Sequence, residues 1–169
     1  MPFSSLRLLS AGVAFSVSSA FAAPVLPALP VKHADVSLPL ATQLLDATLA
    51  ACHAKGRSAV AAVVDRGGNL VALQRDDNVG PHNTLAAQRK AYTALSTKVP
   101  TSLLSQRARN DPDSSNLNTI DALLLLGGGM PLISDGEVIG AIGVAAAGGA
   151  TMDEECAMQA VKQLLAQPH

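Results

Sequence analysis

Aromatic side chains are nearly missing from this chain of 169 residues. It has no Trp, and Phe3, Phe15 and Phe21 all lie at the N-terminus, which leaves Tyr92 as the only aromatic residue beyond position 21. A core without large rings has to be filled by Leu, Ile, Val, Ala and Gly, so neighbouring backbones must approach closely. Binding of single-stranded nucleic acid is excluded, because one aromatic side chain cannot provide a platform for stacked bases.

The overall composition is typical of one globular domain. Hydrophobic residues make up 49% of the chain and charged residues only 15%, which supplies ample material for a core. The formal net charge of −1 gives no strong field that would attract nucleic acid or an anionic membrane. Charge is uneven along the chain, since residues 57–109 carry eight basic side chains and three acidic ones. This middle region is the easiest place for a small anionic ligand, although a solvated basic face is the alternative.

The first 22 residues predict a secretory signal peptide. One basic residue, Arg7, precedes an apolar run over residues 8–20, and small residues close that run. The run is too short to cross a bilayer comfortably, so we expect no integral membrane segment after cleavage. The protein is therefore expected to be periplasmic or secreted.

A Pro-rich tether and one domain follow the predicted signal peptide. Residues 23–36 contain three prolines at every third position, which favours an extended backbone. All remaining periodic patterns lie in residues 37–169, and these contain no internal repeat. We therefore expect a single domain over residues 37–169.

The two cysteines of the chain, Cys52 and Cys156, are far apart in sequence. Without a Cys-x-x-Cys pair, thioredoxin-like chemistry and zinc ribbons have no support. In an oxidising compartment two lone cysteines favour a disulfide, which would contribute up to about 4–5 kcal/mol in the chain-entropy model. A pair of buried free thiols is the alternative.

Apolar periodicity predicts an α+β fold. Hairpin turns at Gly67-Gly68 and Asp135-Gly136 require antiparallel neighbours, so the expected architecture is a five-stranded antiparallel sheet flanked by helices. A helix starts at Ser37 as N-cap and ends at Gly56. Further helices are predicted over residues 83–98, 101–108 and 151–166, and strands over residues 58–65, 69–75, 121–126, 130–134 and 137–147. The polar residues 110–118 predict a surface loop.

Two motifs are more typical of structure than of chemistry. The three glycines at 127–129 precede a predicted strand, whereas a phosphate-binding loop would precede a helix. The acidic residues at 153–155 fall in the first turn of a helix that Thr151 and Glu154 would cap, where the helix dipole favours negative charge. A metal or acid/base cluster is the alternative for these acids.

The second predicted helix carries the strongest candidate for a ligand site. Helical spacing brings His82, Arg89 and Thr93 to one face, with Lys90 and Tyr92 beside it. An imidazole next to cationic side chains can ligate iron and pair with carboxylates. The alternative is an ordinary histidine at the start of a solvated helix.

Several stretches resemble the GlcG/HbpS haem-binding family, whose fold is similar to profilin. They cover residues 63–68, 75–81, 89–94, 100–102, 128–131, 136–144 and 153–155, in order along the domain. The resemblance implies a profilin-like three-layer sandwich and a homo-oligomer, often an octamer, that binds haem or a related tetrapyrrole. In some members binding is linked to iron release or redox sensing.

The resemblance also implies site residues. It places Thr93, Lys90 and Arg89 at the haem site, and we expect Arg89, Lys90 and Arg75 to pair with the propionates while Tyr92 flanks the same face. His82 is our own addition as an iron ligand, in competition with Thr93, because a neutral imidazole is a normal haem ligand.

Three other functions remain open at this stage. The first is a small enzyme that degrades haem or acts on an organic acid, for which no nucleophile and base pair is evident. The second is a module that binds a corrinoid or a flavin. The third is an assembly or signalling protein that acts through a sensor partner.

Overall fold

The computed structural model describes residues 28–165, so the predicted signal peptide and the first residues of the tether lie outside the described residues. The contacts divide the chain into two compact units, of which the second begins at Lys32 and contains the helices and strands of the described residues. Residues 28–35 form no regular secondary structure and are exposed. No helix within residues 28–165 is long and apolar enough to cross a membrane.

Five α-helices and four strands form the described part of the domain. In chain order they are α1 (Leu38–His53), β1 (Val60–Asp65), β2 (Leu70–Arg75), α2 (His82–Thr97), α3 (Thr101–Asn110), α4 (Pro112–Ser115), β3 (Gly129–Ser134), β4 (Glu137–Ala145) and α5 (Ala150–Leu165). The sheet order is β2-β1-β4-β3, and every neighbouring pair is antiparallel. The prediction of an α+β fold with an antiparallel sheet is therefore confirmed.

The prediction of a fifth strand over residues 121–126 is wrong. These residues form a turn and an irregular segment, and side chains of α2 satisfy part of their backbone. The Arg89 guanidinium donates to the Leu123 carbonyl at 2.5 Å. The Leu124 N–H donates to the hydroxyl of Thr93 at 2.8 Å. Buried backbone N–H and C=O groups need a hydrogen-bond partner, which can be a neighbouring strand or a side chain. Here side chains of α2 provide some of these hydrogen bonds in place of a neighbouring strand.

The polar stretch predicted as a loop is partly helical. It contains α4 and a 3-10 turn, Asn116–Thr119. The carboxylate of Asp111 caps α4 by accepting hydrogen bonds from the backbone of Asp113 and Ser114. The hydrogen bond from the Ser114 hydroxyl has the largest effect on the pKa of Asp111, and the two backbone donors add to it. Together they lower this pKa below its ordinary value.

The sheet lies between two helical layers. Helices α1 and α5 cover one face, and α2 covers the other. Strand β1 is buried on both faces: Ala61 and Val63 belong to the cluster beneath α1 and α5, whereas Val60 and Ala62 pack with Ala87 of α2. The buried residues therefore form separate clusters on the two faces of the sheet, and neither of the two clusters named here contains an aromatic residue.

Helix α2 lies unusually close to the sheet because two glycines face it. Gly129 of β3 and Gly143 of β4 are cross-strand partners. A Cβ at Gly143 would overlap the backbone of Ala87 and Ala91, and one at Gly129 would overlap the backbone of α2 as well. The close approach expected from the shortage of aromatic residues is thus found between α2 and the sheet.

A disulfide joins the two helices on the opposite face. Cys52 of α1 and Cys156 of α5 are bonded, with their Cα atoms 5.4 Å apart, and both residues are fully buried. The predicted disulfide is confirmed, and the alternative of two free thiols is wrong. The bridge holds together the two helices that form one complete layer of the sandwich.

The N-cap prediction is confirmed for α1 but not for α5. The Ser37 side chain accepts from the Leu40 N–H at the start of α1. Helix α5 begins at Ala150, so Thr151 lies inside it and does not cap it. Glu154 instead accepts hydrogen bonds from the hydroxyl and the N–H of Ser102, and therefore supports the start of α3.

Candidate functional site

Lys90 lies inside the fold and not on its surface. The side chain is 2% exposed, and its ammonium group lies 2.7 Å from the Asp153 carboxylate and 2.9 Å from the Val144 carbonyl oxygen. The other oxygen of Asp153 accepts from the Ala147 N–H at 2.8 Å. This buried ion pair fixes α2 to β4 and α5. It corrects the expectation that Lys90 binds a propionate, because its ammonium is already paired and enclosed.

Thr93 is also enclosed. It is fully buried, its hydroxyl donates to the Arg89 carbonyl at 2.7 Å, and it accepts from the Leu124 N–H at 2.8 Å. Both roles of the hydroxyl are therefore used within the chain, and Thr93 cannot present its oxygen to an iron atom in this arrangement. The residue holds the irregular segment 121–126 against α2.

The segment 121–126 covers the side of α2 that carries Thr93. The solvent-facing side of α2 lies further around the helix, along Leu85, Gln88, Arg89, Tyr92, Leu95 and Ser96. We call these six residues the outer stripe. Leu85 and Tyr92 are 60% and 38% exposed, although both are large and largely apolar. Exposed residues of this kind on one helix face indicate a binding surface.

An apolar groove lies along the outer stripe. It has a volume of about 210 Å³. Four residues of the outer stripe bound it, together with one residue each of β1, the β1–β2 turn, β2 and the segment 121–126: Leu85, Gln88, Arg89, Tyr92, Val64, Gly68, Leu70 and Ala122. Leu70 forms one wall and is 48% exposed. The Tyr92 ring rests on Gly68, where an added Cβ would lie 2.8 Å from a ring carbon. This glycine therefore makes room for the ring in the turn.

Arg89 brings positive charge to the apolar groove. One guanidinium nitrogen donates to the Leu123 carbonyl, which anchors the side chain at the edge of segment 121–126. Its Nε is buried and has no hydrogen-bond partner among residues 28–165. A buried donor without an acceptor is unfavourable, so an acceptor that reaches this guanidinium would be stabilised. Arg89 is therefore the predicted site residue that remains in a position to bind an anion.

A second recess lies on the other side of Tyr92. We call it the basic recess; its volume is about 540 Å³, and Tyr92, Lys98 and Arg66 contribute to its lining. Arg66 donates to Glu137 at 3.1 Å and is one-third exposed. Lys98 follows α2 with a left-handed backbone, at φ 57°. Its side chain is exposed beside the recess and forms no ion pair within the described residues.

The β1–β2 turn that carries Arg66 is held by the carboxylate of Asp65. The Asn69 N–H donates to it at 2.8 Å, and the Asn69 side-chain amide donates at 3.0 Å. Burial raises the pKa of Asp65, but these bonds and those from the N–H groups of Gly67 and Gly68 outweigh burial, so the pKa lies below its ordinary value. The turn is therefore most ordered with Asp65 ionised.

The remaining predicted residues lie outside both recesses. His82 is exposed at the first position of α2, beside Gly80. Arg75 is exposed at the last position of β2, whereas Leu70, which lines the groove, is at the first position of that strand. Neither contributes to the lining of the groove or the basic recess. Within residues 28–165 no group of three or more His, Cys, Asp or Glu side chains could hold a metal ion. The structure therefore does not bring His82, Arg89 and Thr93 to one accessible site.

Sequence reasoning overlooked Leu70, Leu85, Arg66 and Lys98. Leu85 and Tyr92 are seven residues apart, a spacing that places two large side chains on one helix face, and this pattern was available in the sequence. The contribution of Leu70 and Arg66 depends on how the β1–β2 turn meets α2. No local pattern specifies that contact.

The comparison with known proteins identifies the family. The sequence pattern of the family described as "Haem degrading protein HbpS-like" matches residues 36–162. GlcG of Escherichia coli is 37% identical over 83 residues, which are 49% of this chain and 60% of GlcG. The match to this relative therefore spans less than two thirds of its length.

Solved structures agree with this match over most of the domain. A double mutant of HbpS from Streptomyces reticuli is 36% identical, with a TM-score of 0.75 over 85% of this chain and 97% of that one. PduOC, solved as a complex with haem, has a TM-score of 0.67 over 75% of this chain and 93% of PduOC; at 24% identity it shows the fold alone. The chain is therefore a member of the HbpS-like family.

Proposed function

We propose that this protein is an exported haem-binding protein of the GlcG/HbpS type that holds haem against the outer stripe of α2. The observation that carries the proposal is the apolar groove next to the Arg89 guanidinium, whose Nε lacks a partner within residues 28–165. Haem combines a flat apolar ring with two carboxylates. A leucine-walled groove with an adjacent guanidinium has the complementary chemistry.

The residues present fit the proposed ligand. Leu70 and Leu85 offer apolar contact to the ring, and Arg89 offers hydrogen-bond donors to a carboxylate. Lys90 was one of the three cations that the sequence analysis expected to pair with the propionates, but its ammonium is buried in an ion pair with Asp153. The role that the sequence analysis gave to Lys90 is therefore not part of this proposal.

The size of the groove supports association of several copies at the site. Its volume of about 210 Å³ is below the range of roughly 300–1,000 Å³ that is usual for pockets which enclose small molecules. A second copy placed over the outer stripe would complete the enclosure. We propose that the protein forms a homo-oligomer, and the family resemblance suggests an octamer. Light scattering on the purified protein would measure the mass of the assembly and so the number of subunits.

The buried disulfide supports export. Disulfides persist in oxidising compartments such as the periplasm and the cell exterior, and Cys52 and Cys156 form one between fully buried positions. A periplasmic or secreted location agrees with the predicted signal peptide. Mass spectrometry of the native protein would measure the start of the mature chain, and an intact residue 1 would contradict export by cleavage.

A hemin titration tests the proposed function. We expect a saturable Soret shift for the wild type and binding about tenfold weaker or worse for Leu85→Glu, because a buried leucine contact is worth about 1.5–3 kcal/mol. Leu103→Glu is the matched control, since Leu103 is a 37% exposed leucine of α3 outside the groove. Absence of a Soret shift in the wild type, or equal loss in both variants, would contradict the site.

Haem degradation is a second candidate function, favoured by the description of the matching family. Under this alternative, the protein with hemin, oxygen and a reductant should lose its Soret band and release iron to a chelator. Heat-denatured protein with the same additions is the control. A band that persists in the native sample would leave binding as the function.

A further inference from the structure

We infer that Tyr92 is the iron ligand of the proposed haem site and that Lys98 binds a propionate. This inference rests on the proposed function and makes it specific. It replaces His82 and Thr93 as candidate iron ligands, and it gives Lys98, together with Arg89, the pairing with propionates that the sequence analysis gave to Lys90 and Arg75.

Tyr92 is the one residue that lines both the apolar groove and the basic recess. Proteins hold haem iron with His, Cys, Met or Tyr side chains. Among the residues that line the two recesses, Tyr92 alone belongs to these types. Its phenol oxygen makes no hydrogen bond that the described residues show, since the bond at this residue from Ser96 goes to the backbone carbonyl. The oxygen is therefore available.

The two recesses differ in polarity in the way that the two edges of haem differ. On one side of Tyr92 the groove has Leu70 and Leu85 as walls, which suits the apolar edge of the macrocycle. On the other side the recess is lined by Lys98 and by the ion pair of Arg66 with Glu137. The Lys98 ammonium, which has no ion pair among the described residues, suits the carboxylate edge.

The outer stripe is long enough for one tetrapyrrole. Leu85 and Ser96 are separated by about 16 Å along the axis of α2 at 1.5 Å per residue. A flat molecule centred on Tyr92 can therefore contact both recesses at once.

The backing of Tyr92 is rigid. Gly68 lies directly behind the ring, at a position where its φ of 84° and the ring contact both favour glycine. Arg89 precedes Tyr92 by three residues and lies on the same face of α2, and both residues line the apolar groove. On binding, Tyr92 releases its phenolic proton to solvent and its oxygen donates an electron pair to ferric iron. The oxidation state of the iron does not change.

Tyr92→Phe tests the ligand, because this variant keeps the ring on Gly68 and removes only the oxygen. With hemin, the wild type should show an iron–phenolate stretching band in the resonance Raman spectrum. Tyr92→Phe should lose the band and bind hemin at least about tenfold more weakly, as expected for disturbance of a metal site. His53→Ala is the control. It removes an exposed histidine of α1 that lines neither recess.

Lys98→Gln tests the basic recess. We expect hemin affinity to fall by about two- to fivefold, the size of an exposed ion pair. The dimethyl ester of the same porphyrin, which lacks free carboxylates, should bind wild type and Lys98→Gln equally. Equal loss for both compounds would overturn the assignment of the propionates.

The outcomes separate this inference from the proposed function. If the wild type does not bind hemin, both fail. If Tyr92→Phe binds hemin with the wild-type spectrum, or if His82→Ala abolishes the spectrum while Tyr92→Phe retains it, Tyr92 is not the ligand and the proposed function stands.

Discussion

The ammonium group of Lys90 lies against the Asp153 carboxylate in a part of the core where each side chain is at most 4% exposed. A buried charge that loses its partner typically costs about 3–5 kcal/mol. We therefore expect Lys90→Met to lower the free energy of unfolding by about this amount in urea denaturation. Lys162→Met, at an exposed position of α5, should change it by less than about 0.5 kcal/mol. A stable Lys90→Met protein that no longer binds hemin would restore Lys90 as a ligand.

Asp65 makes the β1–β2 turn sensitive to acid. Hydrogen bonds donated by Asn69, Gly67 and Gly68 outweigh burial and lower the pKa of Asp65. The stabilisation is therefore fully present above the unfolded-state pKa, and it is lost as the pH falls through the lower pKa of the folded state. In an NMR titration, the chemical shift of the Asn69 amide should change at a lower pH than the one at which an ordinary aspartate titrates. Asn69→Ala should raise the pKa of Asp65; an unchanged pKa would contradict the role of these bonds.

At the scale of an element, the segment 121–126 decides which face of α2 meets solvent. Thr93→Val keeps the shape of the side chain but leaves the Leu124 N–H without its acceptor. We expect a loss of about 1–3 kcal/mol of unfolding free energy and faster hydrogen exchange at the Leu124 amide. Thr93→Ser retains the hydroxyl and should keep that amide protected. Equal exchange rates in both variants would show that the bond does not hold the segment.

Helix and hairpin positions could be predicted because their determinants are local. Ser37 lies at a helix start with a side chain able to cap it, and Asp135-Gly136 adopts the left-handed backbone that a two-residue turn requires. The segment 121–126 was predicted wrongly because its apolar sequence suits a strand, whereas its partners are side chains of a helix thirty residues away. The burial of Thr93 beneath this segment could not be predicted for the same reason.

The site itself was predicted only in part, and for the same reason. Arg89 and Tyr92 were found because both follow from helical spacing. Lys90 was misplaced because the sequence does not reveal that Asp153, 63 residues later, lies opposite it in the core. Long-range pairs of this kind depend on the assembled fold.

At the scale of the whole molecule, one covalent bond closes most of the domain. Cys52 and Cys156 are 104 residues apart, so the disulfide closes a long loop of the unfolded chain. We expect Cys52→Ala/Cys156→Ala to lose about 2–5 kcal/mol of unfolding free energy. Reductant should bring the wild type to the level of the double variant and leave the variant unchanged. A reductant effect of equal size on both proteins would contradict this account.

The close approach of α2 to two glycines of the sheet has a consequence for redesign. Gly129 and Gly143 leave no space beneath the helix, so its inner surface tolerates little change. Leu85, Gln88 and Tyr92 face away from that contact and contribute nothing to it. Substitutions on the outside of this helix, where the proposed haem site lies, should therefore leave the scaffold underneath as it is.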